Sequence, residues 1–198
     1  MITGASGLLG RALVKEFLER EWFVFAQYHT RQPEEHANCQ SLWADFSNLE
    51  GIREFLHRNR ELIKDCSYLI NNYGPITSKP FAQVTAEDFT FDFHHNVVTA
   101  FEITGFMIKN APLQAVVNIG FEFLGQDRAY KKILAYAAAK NALLLLTRSL
   151  AREHPGIRFH IIPLPTLRGA QVKAENGIPL PPEQAAKDIY TLLIEQEI

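Results

Sequence analysis

Apolar and polar positions along the chain follow two alternating rhythms. Short apolar bursts mark Met1–Thr3, Trp22–Tyr28, Ser41–Ala44, Tyr68–Asn71, Ala115–Ile119 and Ile157–Ile162 as strands, the first of them a stub. Between them, helical spacing recurs over Leu8–Glu19, where Leu9, Leu13, Phe17 and Leu18 share a face, and over Leu49–Asn59. The same reading gives helices at Thr85–Lys109, with an irregularity near its start, at Tyr130–Glu153, with Tyr136, Leu143 and Leu144 facing inward, and at Pro182–Glu195. A polar loop runs from His29 to Gln40, and a loop rich in Gly and Pro from Tyr73 to Pro80. Strand and helix in alternation predict an α/β chain. Its parallel sheet would be doubly wound, about six strands with helices on both faces. No repeat or low-complexity tract interrupts the pattern, and the Pro-rich piece from Ile178 to Pro182 lies too near the end to separate domains. One domain over residues 1–198 is expected.

Composition narrows the classes. Lys plus Arg number 20 and Asp plus Glu number 22, a net charge of −2, with no basic excess for nucleic acid. Every apolar stretch, Ala142–Leu146 among them, is far too short to span a bilayer, and the N-terminus shows no signal-peptide pattern. Two cysteines, Cys39 and Cys66, make no disulfide framework and fit a reducing, cytoplasmic setting. His94 and His95 are adjacent and so diverge on a helix, and no His, Cys or carboxylate set has zinc spacing; no metal is expected.

The first strand–helix junction reads Thr3-Gly4-Ala5-Ser6-Gly7-Leu8-Leu9-Gly10. Glycines there permit a tight bend and close backbone approach, and the helix N-terminus offers free N–H groups to a pyrophosphate. Gly4, Ser6, Gly7, Leu9 and Gly10 are therefore candidate dinucleotide contacts. The second strand ends Gln27-Tyr28-His29-Thr30-Arg31, without the acid that would hold a ribose 2′-hydroxyl. Arg31, beside His29, can instead pair with a 2′-phosphate, which favours NADP(H) over NAD(H). Asp45 is placed to accept from an adenine amino group or to cap the following helix.

Tyr136 and Lys140 lie four apart on one helix and share a face. A nearby ammonium favours the phenolate, so such a pair can exchange a proton with a substrate oxygen. On spacing alone, a surface pair is the default. The wider set of motifs changes that. Besides the glycine turn the chain carries Ala44-Asp45-Phe46-Ser47, Asn71-Asn72-Tyr73-Gly74, Asn96 in the middle helix, Tyr136-Ala137-Ala138-Ala139-Lys140 and Pro163-Leu164-Pro165-Thr166, in that order. In these pieces the chain resembles the short-chain dehydrogenase/reductase family over nearly its whole length. The resemblance implies a Rossmann fold and a nicotinamide cofactor. It makes Tyr136 the proton donor or acceptor, and Lys140 the group that binds the nicotinamide ribose and lowers the tyrosine pKa. Asn96 becomes a member of a proton relay, and Asn71, Asn72, Gly74 and Thr166 cofactor contacts. It further implies a small-molecule substrate and a homodimer or homotetramer built through the two long helices.

The pattern also departs from the family's. Where the family places a serine after the fifth strand, this chain has Val117-Asn118-Ile119-Gly120-Phe121-Glu122-Phe123, with Phe121 or Phe123 at the serine's place. Tyr73 stands where the motif has alanine, and Leu164 replaces a glycine. Tyr73, Phe121 and Phe123 are candidate pocket residues, suited to a flat aromatic substrate. Two functional readings follow. One is an NADPH-dependent reductase of a carbonyl or cyclic imine, such as a pterin-like compound. The other is a binding or regulatory protein that keeps the dinucleotide pocket without competent catalysis. An epimerase or dehydratase is a third, minor alternative. Compared with the family the chain is short at both ends, and the family's last strand is expected to be missing.

Overall fold

A computed structural model describes residues 1–126, 130–170 and 178–194. The elements run α1 (Leu8–Leu18), β1 (Val24–Tyr28), β2 (Cys39–Trp43), α2 (Leu49–Arg58), α3 (Arg60–Ile63), β3 (Tyr68–Asn71), α4 (Ala86–Phe93), α5 (Thr99–Asn110), β4 (Ala115–Ile119), α6 (Leu134–Glu153), β5 (Arg158–Ile162) and α7 (Pro182–Ile194). A 3-10 turn, Phe81–Gln83, precedes α4, and a π-helical turn, His94–Val98, joins α4 to α5.

The strands pair in parallel as β1 with β2 and as β3–β4–β5. Ile2 joins the two groups by bridging Ala26 of β1 and Ile70 of β3. Its N–H donates to Phe25 O and its carbonyl accepts from Gln27 N, while Thr3 N donates to Ile70 O and Met1 O accepts from Ile70 N, all at 2.9–3.0 Å. The order is therefore β2–β1–Ile2–β3–β4–β5. Of the six strands expected, five extend over several residues; the stub at Met1–Thr3 takes the sixth place through a single bridging residue.

Two apolar layers flank the sheet, as central parallel strands require. On one face Leu9, Leu13 and Phe17 of α1 meet Ala186, Ile189 and Leu193 of α7 over Val24, Ile70 and Val117. On the other, Ile52, Phe55 and Leu56 of α2 meet Ile103 and Met107 of α5 over Leu42, Leu69 and Val116. Neighbouring strand residues thus serve opposite layers, as the two-residue strand period dictates.

Element ends move for local reasons. Helix α6 starts at Leu134 rather than Tyr130, since Lys132 adopts φ of +65°, incompatible with a helix. Strand β1 starts at Val24 rather than Trp22, after Glu21 at φ of +63°. An irregularity was expected near the start of the helix over Thr85–Lys109; the π turn at His94–Val98 lies nearer its centre. Glu195, the expected end of α7, lies outside the described residues. Among the described residues no helix is long and apolar enough to cross a membrane, and no group of three His, Cys, Asp or Glu could hold a metal ion.

Candidate active site

The glycine turn and the loop after β3 meet above the place where Ile2 joins the two halves of the sheet. In open α/β sheets a ligand crevice forms at such a reversal of strand order. Asn72 closes it: its Nδ2 donates to the carbonyls of Thr3 and Gly4, each at 3.0 Å. Thr3 Oγ1 accepts from the N–H groups of Asn72 and Tyr73. Gly4, at φ of +61°, donates its N–H to Gln27 Oε1, and Gln27 Nε2 reaches Ala44 O. One buried amide thus ties the turn to the ends of β1 and β2. At Gly10 a Cβ would collide with Gly4 O and with the Ala5 backbone, so α1 can press against the turn only with glycine there. Gly7 caps α1 without a side chain, which leaves the helix N-terminus without a side-chain cap. Backbone donors, a positive helix end and a cradle that a Cβ would fill are what a dinucleotide pyrophosphate requires. Leu9 is buried in the core, so only its backbone can take part.

At the outer end of the crevice, Ser6, Arg11, Lys15, Glu19, Arg31 and Glu35 are among the residues lining a cavity of about 480 Å³. Arg11 is engaged, its Nη1 donating to Ser6 O at 2.7 Å. Arg31 is exposed and makes no hydrogen bond or ion pair among the described residues. His29 is exposed as well, its ring 6.2 Å from that of Trp43. Asp45 accepts from Ser47 N at 2.8 Å, and that hydrogen bond holds its carboxyl below the usual carboxylate range; the cap of α2 is Asn48. Tyr73 turns toward this end of the crevice. Its ring stands edge-on to Phe46 at 5.5 Å, its hydroxyl lies 2.8 Å from His95 Nδ1, and burial, with Asp45 nearby, pushes its pKa up to about 12. His95 is pushed down to about 4 by burial and by His94, so it is neutral around pH 7.

The inner end holds the predicted catalytic residues. Lys140 is buried, donates to Ile119 O at 2.6 Å, and lies 5.5 Å from the centre of the Tyr136 ring. Burial lowers its pKa to about 7. Asn96 enters from the π turn, with Nδ2 donating to Pro75 O and Asp92 O at 3.0 Å each. A Cβ on Gly74 would collide with Asn96 Oδ1 and lie 3.3 Å from Lys140 Nζ. Three of the predicted residues thus share one small volume. The expected effect of Lys140 on Tyr136 is not met: burial first, and Asp92 second, push the tyrosine above its ordinary value. Phe121 packs edge-on against Tyr136 at 6.0 Å and against Tyr130 at 5.0 Å, and Phe123 stacks on Tyr130 at 6.1 Å. Thr166 is tied through its backbone carbonyl to Leu180 N.

Asn71 does not open into the crevice. Its Nδ2 donates to Asn118 Oδ1 and Thr104 Oγ1, and Asn118 Nδ2 continues to Thr147 Oγ1, a buried chain joining β3, β4, α5 and α6. Sequence reasoning missed this chain and also missed Asp92. The polar residues Asn118, Thr104 and Thr147 inside apolar runs were the available signal.

Sheet order, two-sided helical cover and glycine turn define a Rossmann-type α/β protein. A family model described as short chain dehydrogenase matches residues 1–175, and the chain belongs to that family. An uncharacterized oxidoreductase of Schizosaccharomyces pombe is 30% identical over 167 residues, covering 81% of this chain and 64% of the relative. Retinol dehydrogenase 14 of Mus musculus is 28% identical over 202 residues, covering 79% and 60%. The chain thus spans less than two thirds of the length of either. The solved structure of 4-hydroxyisoleucine dehydrogenase complexed with NADH superposes with a TM-score of 0.82 at 24% identity, over 99% of this chain and 90% of that one. Serine dehydrogenase complexed with NADP+ gives 0.82 at 21%, over 98% and 89%. At these identities the two structures speak for the fold.

Proposed function

We propose that the chain is an NADP(H)-dependent oxidoreductase that reduces a carbonyl or cyclic imine on a small molecule, with Tyr136 as proton donor. The convergence of Gly74, Asn96 and Lys140 beside Tyr136 carries this reading. The glycine turn and α1 would hold the pyrophosphate, Asp45 the adenine, Arg31 a 2′-phosphate, and Lys140 and Thr166 the nicotinamide end. A nicotinamide held there would be the source of the hydride for the substrate carbon. Tyr136 then gives its proton to the substrate oxygen or nitrogen. A phenol buried in an apolar wall keeps that proton until a more basic atom forms beside it. Lys140 offsets the negative charge left on the phenolate oxygen, and Asn96 holds the Pro75 and Asp92 backbones against it. Phe121, Phe123 and Tyr130 give the substrate a flat aromatic wall.

The test is fluorescence titration with NADPH and NADH, then turnover on a panel of carbonyls and pterins by the chain and by Tyr136→Phe. Binding with turnover that Tyr136→Phe abolishes supports the reading; full activity in that variant overturns it. A phenylalanine, Phe121 or Phe123, at the serine's place favours a second reading, a dinucleotide-binding protein without turnover, which predicts binding and no activity on any panel member. The exposed Phe101 on α5 and Leu145 on α6 support self-association through these helices.

A further inference from the structure

Asp92 is an ionisable residue with no exposed surface, one helical turn before Asn96. Its Oδ1 accepts from Thr77 N at 3.3 Å, whereas its Oδ2 has no partner among the described residues. A buried carboxylate left half-satisfied is costly, and such groups persist where charge is put to use. The groups around it are few. Thr77 comes from the loop after β3, Asp88 from its own helix, and Tyr136 and Lys140 from α6, on which α4 packs. Asp88 is itself paired with Lys79 at 2.7 Å.

Donors and acceptors at this spot are complementary. Lys140 spends one N–H on Ile119 O, which leaves two to spare. Asp92 Oδ2 and Asn96 Oδ1 are both buried acceptors without a donor among the described residues. Asn96 Oδ1 and Lys140 Nζ both lie within contact reach of one point, the place a Gly74 Cβ would take. Asp92 makes no direct ion pair with Lys140 among the described residues, so its charge acts at a distance, through a protein interior where screening is weak.

We propose that Asp92 is a positioning residue for the Tyr136–Lys140 pair: its carboxylate is the internal counter-charge that favours the ammonium form of Lys140 and the phenol form of Tyr136 before substrate binds. Burial alone drives an ammonium toward the neutral amine, which could not stabilise a phenolate. Asp92 opposes that loss, and it also disfavours premature ionisation of the phenol; both effects follow from one negative charge facing α6. This inference rests on the reading of Tyr136 and Lys140 as the catalytic pair, but its first readout does not.

The experiment is an NMR titration of lysine-labelled full-length chain without cofactor, comparing the parent with Asp92→Asn, Asp92→Ser and Asp92→Glu. Asn keeps the shape and an acceptor for Thr77 N, Ser relieves any crowding, and Glu restores the charge. The Lys140 midpoint should fall by about one pH unit in the Asn and Ser variants, the lower end of what a neighbouring opposite charge imposes. It should return in the Glu variant. Tyr136 phenolate absorbance should move to lower pH in parallel, and so should the pH profile of kcat/KM. An unchanged Lys140 midpoint in a folded Asn or Ser variant overturns the proposal. Should neither fold, Lys140→Met reads the same coupling in reverse, through a rise in the Asp92 carboxyl midpoint; no rise overturns it. Absence of turnover in the parent would sink the proposed function and leave the Lys140 titration standing as its own result.

Discussion

The ring of Phe121 stands edge-on to that of Tyr136, with 6.0 Å between centroids and an interplanar angle of 63°. Hydrocarbon thus packs one side of the tyrosine, and neither Phe121 nor Phe123 offers the hydroxyl that the family resemblance places after the fifth strand to steady a substrate oxygen. One such donor is worth about a hundredfold or more in rate. Phe121→Ser is expected to raise kcat on a carbonyl substrate at least about tenfold, a fraction of that donor's worth. It should also lower stability by about 3 kcal/mol, as an aromatic is removed from a packed site. Steady-state kinetics and urea denaturation on the same preparation separate the two effects.

Gly74→Ala probes the crowding of the inner site. The added methyl must displace Asn96 or the Lys140 head. A displacement near 1 Å costs about a hundredfold in rate. The expected outcome is that loss in kcat with an unchanged circular dichroism spectrum. A crystal structure of the variant would show Asn96 rotated away from Pro75 O.

Arg31→Ala tests the cofactor preference. A charge-assisted hydrogen bond contributes about 1.5–3 kcal/mol, so NADPH should bind about tenfold to a hundredfold more weakly. NADH affinity should stay as it was, since only the 2′-phosphate is addressed. Because Arg31 is exposed and makes no hydrogen bond or ion pair among the described residues, stability should change by less than about 0.5 kcal/mol. Calorimetric titration with both nucleotides decides it.

Stability should rise with pH above neutrality. Lys140 titrates at about 7 in the folded chain against an ordinary value of 10.5. Between those values the unfolded chain binds the extra proton, so folding gains as pH increases. The raised Tyr136 value reverses the trend above about pH 10, where the unfolded phenol ionises and the folded one does not. Denaturant midpoints from pH 7 to 10 should therefore climb, and Lys140→Met should flatten the climb.

The glycine turn, the strand–helix alternation and the shared face of Tyr136 and Lys140 were legible because each is set by neighbours in sequence. The contact of Gly74 with Asn96 was not, because it joins a loop to a helix 22 residues on, across a π turn whose exact place no local pattern specifies. Tyr73 was expected among the pocket residues; its ring packs on Phe46 and His95, since a bulky ring in that loop must find an apolar wall. Asn71 was expected at the cofactor, and the sheet interior claimed it through Asn118, a partner 47 residues away. Asp92 belongs to no motif that would mark it in the sequence; only the packing of α4 on α6 shows that it is sealed from water.

The bridge at Ile2 gives the sheet a seam. Within the sheet itself, the half with β1 and β2 and the half with β3, β4 and β5 are joined by a few backbone bonds around that residue, with the Asn72 amide above it, while the two helical layers cover both halves. A dinucleotide laid across the glycine turn would touch both halves at once and act as a clasp over the seam. Amide protons of Ile2, Thr3, Gln27 and Ile70 should then be the ones whose exchange slows most when nucleotide binds, so that the ligand strengthens the fold where the fold itself is thinnest.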